Sequence, residues 1–99
     1  MAYYILDKDN NLDEIYDWRF HRDWFDENRK RTQIGFNHLP NGSMLSTIFL
    51  SSSAKIGFDK LLFETCLFGK KIEGYDFPIN YTTYEDALKG HLEILKTLL

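Results

Sequence analysis

Two runs decide the fold: Ser43-Met44-Leu45-Ser46-Thr47-Ile48-Phe49-Leu50, and Lys60-Leu61-Leu62-Phe63-Glu64-Thr65-Cys66-Leu67-Phe68. Both are rich in β-branched and aromatic residues, the composition of strands. Neither alternates cleanly. In the first, Met44, Ile48 and Leu50 point one way and Leu45 and Phe49 the other; in the second, Leu61, Phe63 and Leu67 oppose Leu62, Cys66 and Phe68. Strands apolar on both sides are usually covered on both sides, so these two belong in the middle of a sheet. Inside them Ser46, Thr47, Glu64 and Thr65 stand out as polar.

The flanking segments supply the partners. Residues 32–39 read as a strand, with Ile34 and Phe36 on one face, and Asn41-Gly42 then makes a hairpin turn into the first central run. Residues 51–59 form a polar loop. After Phe68, residues 69–74 make a second hairpin loop. Residues 75–81 alternate Tyr75, Phe77, Ile79 and Tyr81 with polar positions, and Pro78 marks them as an edge strand. At the start, residues 3–6 form a short strand and residues 7–11 a turn.

Two segments have helical period. In residues 12–25, Leu12, Ile15, Tyr16, Phe20 and Trp24 fall at steps of three and four, with Asn11 as N-cap and Trp18 off the stripe, partly exposed. Residues 26–31 are charged and read as a surface connection. The last helix opens at Thr82 and Thr83, with Thr82 and Glu85 at capping-box spacing. Its buried stripe is Tyr84, Leu88, His91, Leu92, Leu95, Leu98 and Leu99. The expectation is α+β: one domain over residues 1–99, an antiparallel sheet of four to five strands, one helix after the first strand, and a C-terminal helix on the sheet.

Composition narrows the function classes. The chain has 99 residues, enough for one core, and is dense in rings, with eight Phe, six Tyr and two Trp. Its formal net charge of −3 argues against duplex nucleic-acid binding. No signal peptide or membrane span is visible, which points to the cytoplasm. The one cysteine, Cys66, reads as a small hydrophobe. His21, His38 and His91 lie on different elements with no ligand spacing, so no metal site is expected.

Three constellations remain. Ser46 or Thr47 with His91 and Glu64 has the residue types for acyl transfer, but no Gly-x-Ser-x-Gly elbow or other motif fixes them. Glu64 in an apolar strand needs a partner: either an Arg or Lys of the first helix, or a ligand between sheet and helix. Trp24-Phe25 followed by Arg29, Lys30 and Arg31 sets a stacking surface beside positive charge, which suits a nucleotide; the alternative is a core tryptophan beside a solvated turn.

Several segments taken in order resemble a family of small, mostly uncharacterised proteins of phages and prophages. They are Tyr3-Tyr4-Ile5-Leu6-Asp7, Trp24-Phe25-Asp26 with Arg29 and Arg31, Ser46-Thr47-Ile48-Phe49-Leu50, Phe63-Glu64-Thr65 with Phe68-Gly69, and Tyr81-Thr82-Thr83-Tyr84-Glu85-Asp86-Ala87 with Gly90-His91. Members of that family often carry Gly-Leu-Asp-His after the Ser-Thr strand; here Ser51-Ser52-Ser53 stands instead, which weakens the case for an enzyme. The resemblance implies a phage-encoded protein of the host cytoplasm that acts against host defence. The leading expectation is non-enzymatic capture of a small nucleotide-like ligand, with a homo-oligomer among the partners considered. Trp24 would stack, Arg29 and Arg31 would meet phosphate, and Thr47, Glu64 and Thr65 would read polar groups. The second is inhibition of a host protein through Trp18, Tyr75 and Tyr81 and the edge strand 75–81. The third is a small hydrolase built on Ser46 or Thr47 with His91. No catalytic residue and no cofactor is expected under the first two.

Overall fold

The computed structural model describes residues 3–50 and 61–98. The loop expected over residues 51–59 lies outside the described residues. The fold is α+β. A two-stranded antiparallel ribbon, β1 (Tyr3–Leu6) with β2 (Leu12–Ile15), precedes helices α1 (Trp18–Glu27) and α2 (Arg29–Thr32). Four antiparallel strands follow in the order β3 (Gln33–His38), β4 (Met44–Phe49), β5 (Phe63–Phe68) and β6 (Ile79–Tyr81), and α3 (Tyr84–Leu98) ends the described chain.

The two central runs are the two central strands. Asn41-Gly42 makes the hairpin: Gly42 takes φ 88, Gly42 N–H donates to the Leu39 carbonyl at 3.0 Å, and Leu39 N–H donates to the Ser43 carbonyl at 2.8 Å. A residue with a β-carbon would be strained at that φ.

The first helix begins later than its periodicity suggests. Residues 12–15 are strand β2, because the Asp7 carboxylate accepts from the N–H groups of Asp9 (2.8 Å) and Asn11 (2.9 Å) and Asn10 takes φ 64. That Asx turn folds the chain back, so Leu6 pairs with Leu12 and Tyr3 with Ile15. Leu12, Ile15 and Tyr16 suit a helix and a short strand equally well, and the turn decides between them. The N-cap is Asp17, accepting from Arg19 N–H at 2.9 Å, rather than Asn11. Residues 26–31, expected as a connection, are mostly helical, with α1 and α2 meeting at Asn28.

Three further differences concern the C-terminal half. Only Ile79–Tyr81 of the expected strand 75–81 pairs with β5. Thr83, not Thr82, caps α3, its hydroxyl accepting from Asp86 N–H at 3.1 Å. The face of α3 turned to the sheet is Ala87, His91 and Ile94; Leu92, expected inside, is 52 % exposed.

Cross-strand register assigns the faces. Gly35, Asn37, Leu45, Thr47, Phe49, Phe63, Thr65, Leu67, Ile79 and Tyr81 face α3. Phe36, His38, Ser46, Glu64, Cys66, Phe68 and Asn80 face the other way, and Phe36 and Phe68 are exposed there. Apolar contact under α3 falls into two clusters. One holds Leu6, Phe49, Leu62, Phe63 and Ala87; the other holds Leu39, Leu45, Ile72 and Ile94. Phe63 is fully buried, and burying such a ring is worth about 1.5–3 kcal/mol. Between the Phe49–Phe63 rung and the Leu45–Leu67 rung runs the Thr47–Thr65 rung, which is polar.

Candidate functional site

Thr47 and Thr65 face each other across β4 and β5, with their hydroxyl oxygens 2.5 Å apart. His91, on the inner face of α3, lays its ring over this rung. Its Nδ1 is 2.7 Å from Thr47 Oγ1 and its Nε2 is 2.8 Å from Asn37 Oδ1. Tyr81 Oη lies 3.4 Å from Thr65 Oγ1 and ends the chain of contacts.

The proton positions follow from the inventory of donors. An amide oxygen only accepts, so His91 Nε2 carries the hydrogen and Nδ1 accepts from the Thr47 hydroxyl. Thr47 has then spent its donor, and Thr65 must donate to it. Thr47, Thr65 and His91 are all buried, and burial holds the imidazole below its ordinary pKa, which favours the neutral ring at neutral pH. Gly35 makes room for it: a β-carbon there would sit 2.7 Å from two ring atoms.

This seam has the composition of a Thr-His-Asn triad. Its nucleophile candidate, Thr47, has no exposed surface, because α3 lies over it. As it stands, the arrangement joins sheet to helix. Ser46 is on the opposite face and does not meet His91.

Glu64 lies on that opposite face. Its expected cationic partner from the first helix is replaced by neutral neighbours on its own sheet: Cys66 Sγ donates to Oε1 at 2.9 Å and Asn80 Nδ2 to Oε2 at 3.4 Å. Burial, together with the adjacent Glu64 carboxylate, pushes the Cys66 thiol up to about 11, far from thiolate chemistry at neutral pH.

Trp24 and Arg31 do come together. The guanidinium sits 5.7 Å from the indole centroid. However, Trp24 also meets Phe25 and Phe49 edge-on at 5.1 and 6.1 Å, and is part of the first apolar cluster. Arg31 donates to the Asp7 carbonyl and, at 3.0 Å, to Asn10 Oδ1, so it straps α2 to the β1–β2 turn. Arg29 is exposed and pairs with Asp26 at 3.4 Å. The six residues expected at one ligand site thus occupy separate places: Trp24 with Arg31, Arg29 on the surface, Thr47 with Thr65 under α3, and Glu64 on the far face.

Two open features lie elsewhere. At the start of α1, Trp18 is 52 % exposed, with the guanidinium carbons of Arg22 and Arg19 at 5.1 and 5.8 Å from its ring centroid. Tyr16 and Phe20 nearby in sequence are exposed too. Of the other two expected anchors, Tyr75 and Tyr81 are half-buried against the second and first cluster respectively. The second feature is a cleft of about 420 Å³ between the β1–β2 turn and the start of α3, lined mainly by polar side chains, among them Asn10, Asn11, Thr83 and Glu85, with Tyr84.

Among the described residues, no group of three or more His, Cys, Asp or Glu is placed to hold a metal ion, and no helix is long and apolar enough to cross a membrane. Compared with family models, curated proteins and solved structures, the chain matches none.

Proposed function

We propose that this chain is a non-catalytic binding protein that covers a surface of another protein, with Trp18 as its anchor. The observation that carries this reading is the half-exposed indole flanked by Arg19 and Arg22. Trp, Tyr and Arg are the residue types that dominate binding energy at protein interfaces. The cationic groups on the ring hold it in a set orientation, which lowers the entropy lost on docking. The setting, a phage-type protein of the host cytoplasm acting against defence, rests on the ordered motifs described above.

A second reading, capture of a nucleotide-derived ligand, is favoured by the polar cleft beside Asn10, whose amide oxygen Arg31 already holds. Asn and Thr side chains suit a sugar or base edge there; Asp9 and Glu85 on the lining repel phosphate.

A paired experiment separates the two. Wild type and Trp18→Ala are used as bait in host lysate, and both are melted against cyclic dinucleotides, cyclic oligonucleotides and ADP-ribose derivatives. One stoichiometric protein partner, lost with Trp18→Ala, supports the first reading. A melting shift with one nucleotide class, unchanged by Trp18→Ala, replaces it with the second.

A further inference from the structure

We propose that the outward face of α3 is a two-fold interface that pairs this chain antiparallel with a second copy of itself. The surface is separate from Trp18 and stands whether or not the binding reading holds.

The inner face of α3 is occupied by the sheet through Ala87, His91 and Ile94. Its outer face carries a groove of about 490 Å³ lined by Glu85, Leu88, Lys89, Leu92, Glu93 and Lys96. At 100° per residue, Leu88 and Leu92 lie within 40° of each other, and the four charged residues all lie to the same side of Leu92. Leu92 is 52 % exposed and Leu88 beside it is half-buried, so the two form a short apolar ridge within a charged face.

The charges specify the occupant. A two-fold axis perpendicular to α3 near residues 90 and 91 reverses the helix and keeps each flank against its own copy. Leu88 then meets Leu92 of the second copy. On the flank, Glu85 meets the second copy's Lys96, and Lys89 meets its Glu93. Each contact occurs twice, as an isologous interface requires. A parallel two-fold would instead carry the charged flanks of the two copies to opposite sides of the seam, where none of these pairs forms. Among the described residues the ion pairs within the chain are Arg22–Asp23 and Arg29–Asp26, so all four α3 charges are available. A stable interface between small proteins buries about 1,200–2,000 Å². One face of a 15-residue helix falls at or below the low end, so the dimer should be concentration-dependent.

Sedimentation equilibrium of the whole chain over a concentration series tests this, with circular dichroism melts to confirm that each variant folds. The expected result is a monomer–dimer equilibrium. Leu92→Glu should abolish the dimer, and Glu85→Lys or Lys96→Glu alone should each raise the dissociation constant roughly tenfold, since each reversal disturbs two contacts. The double variant E85K/K96E should return it close to wild type. Wild type monomeric up to its highest soluble concentration overturns the proposal. So does a dimer that Leu92→Glu leaves intact, or a double variant no tighter than the single ones.

Discussion

His91 Nδ1 and Thr47 Oγ1 meet at 2.7 Å across 44 positions of sequence, both residues out of solvent. One bond therefore ties the C-terminal helix to the central strand, and its loss leaves a buried ring nitrogen with no donor. Thr47→Val keeps the side-chain shape and removes the hydroxyl. It should destabilise the fold by about 1–3 kcal/mol, a fall in the melting midpoint of roughly 5–20 °C in a domain this size. Urea unfolding measures it. Because Thr65 shares the bond, the double variant T47V/T65V should cost less than the sum of the two single ones; strict additivity would mean that the hydroxyls act independently.

Acid should weaken the protein in the histidine range. Burial lowers the pKa of both His91 and His21 from the ordinary 6.5. The unfolded chain takes up those protons near the ordinary value, the folded chain only at lower pH. Stability is therefore full above 6.5 and declines as pH falls from there through the folded values. Asp7, lowered from 3.8 chiefly by the Asn11 N–H, acts separately: its contribution is full above 3.8 and is lost as pH falls from there through its lowered folded value. Urea midpoints at neutral and mildly acidic pH should differ in wild type and differ less in His91→Gln. An unchanged slope in that variant would assign the effect to His21 alone.

Gly35→Ala should destabilise, although alanine is usually the better strand residue. The added carbon would meet the His91 ring at 2.7 Å, and crowding of that kind costs about 1–3 kcal/mol. In a His91→Ala background the same change should cost little. If the penalty persists there, the strand backbone and not the ring is the cause.

The helix cap gives a position-specific test. Thr83→Ala removes the acceptor for Asp86 N–H and should cost about 0.5–2 kcal/mol, whereas Thr82→Ala should be near neutral. The reverse ranking in thermal melts would restore the Thr82–Glu85 capping box.

Much of the fold could be read along the chain because its signals are local. Asn41-Gly42 dictates a hairpin from two residues, and the doubly apolar runs around Thr47 and Thr65 belong in a sheet interior whatever surrounds them. The β1–β2 ribbon was hidden because Leu12, Ile15 and Tyr16 fit two periods at once, and an aspartate side chain settles the choice. The seam was visible only in fragments. Thr47 is set with His91 on residue type alone, and Thr65 stands out as polar in an apolar strand, but nothing in their spacing joins them to Asn37, 54 positions from His91. Trp18 is legible as an off-stripe, partly exposed ring, and the helix, starting one residue after its Asp17 cap, leaves it 52 % exposed.

A band of hydroxyl, imidazole and amide between two greasy patches also acts as a vernier for the helix above it. Sliding α3 by one turn, about 5.4 Å, would carry the imidazole off both hydroxyls and seat Ala87 or Ile94 on them. Each such misplacement strands several polar groups at once, so neighbouring alignments are separated from the native one by a wide energy gap. An all-leucine underside would bind the sheet as strongly and would permit several seatings; this one admits a single notch.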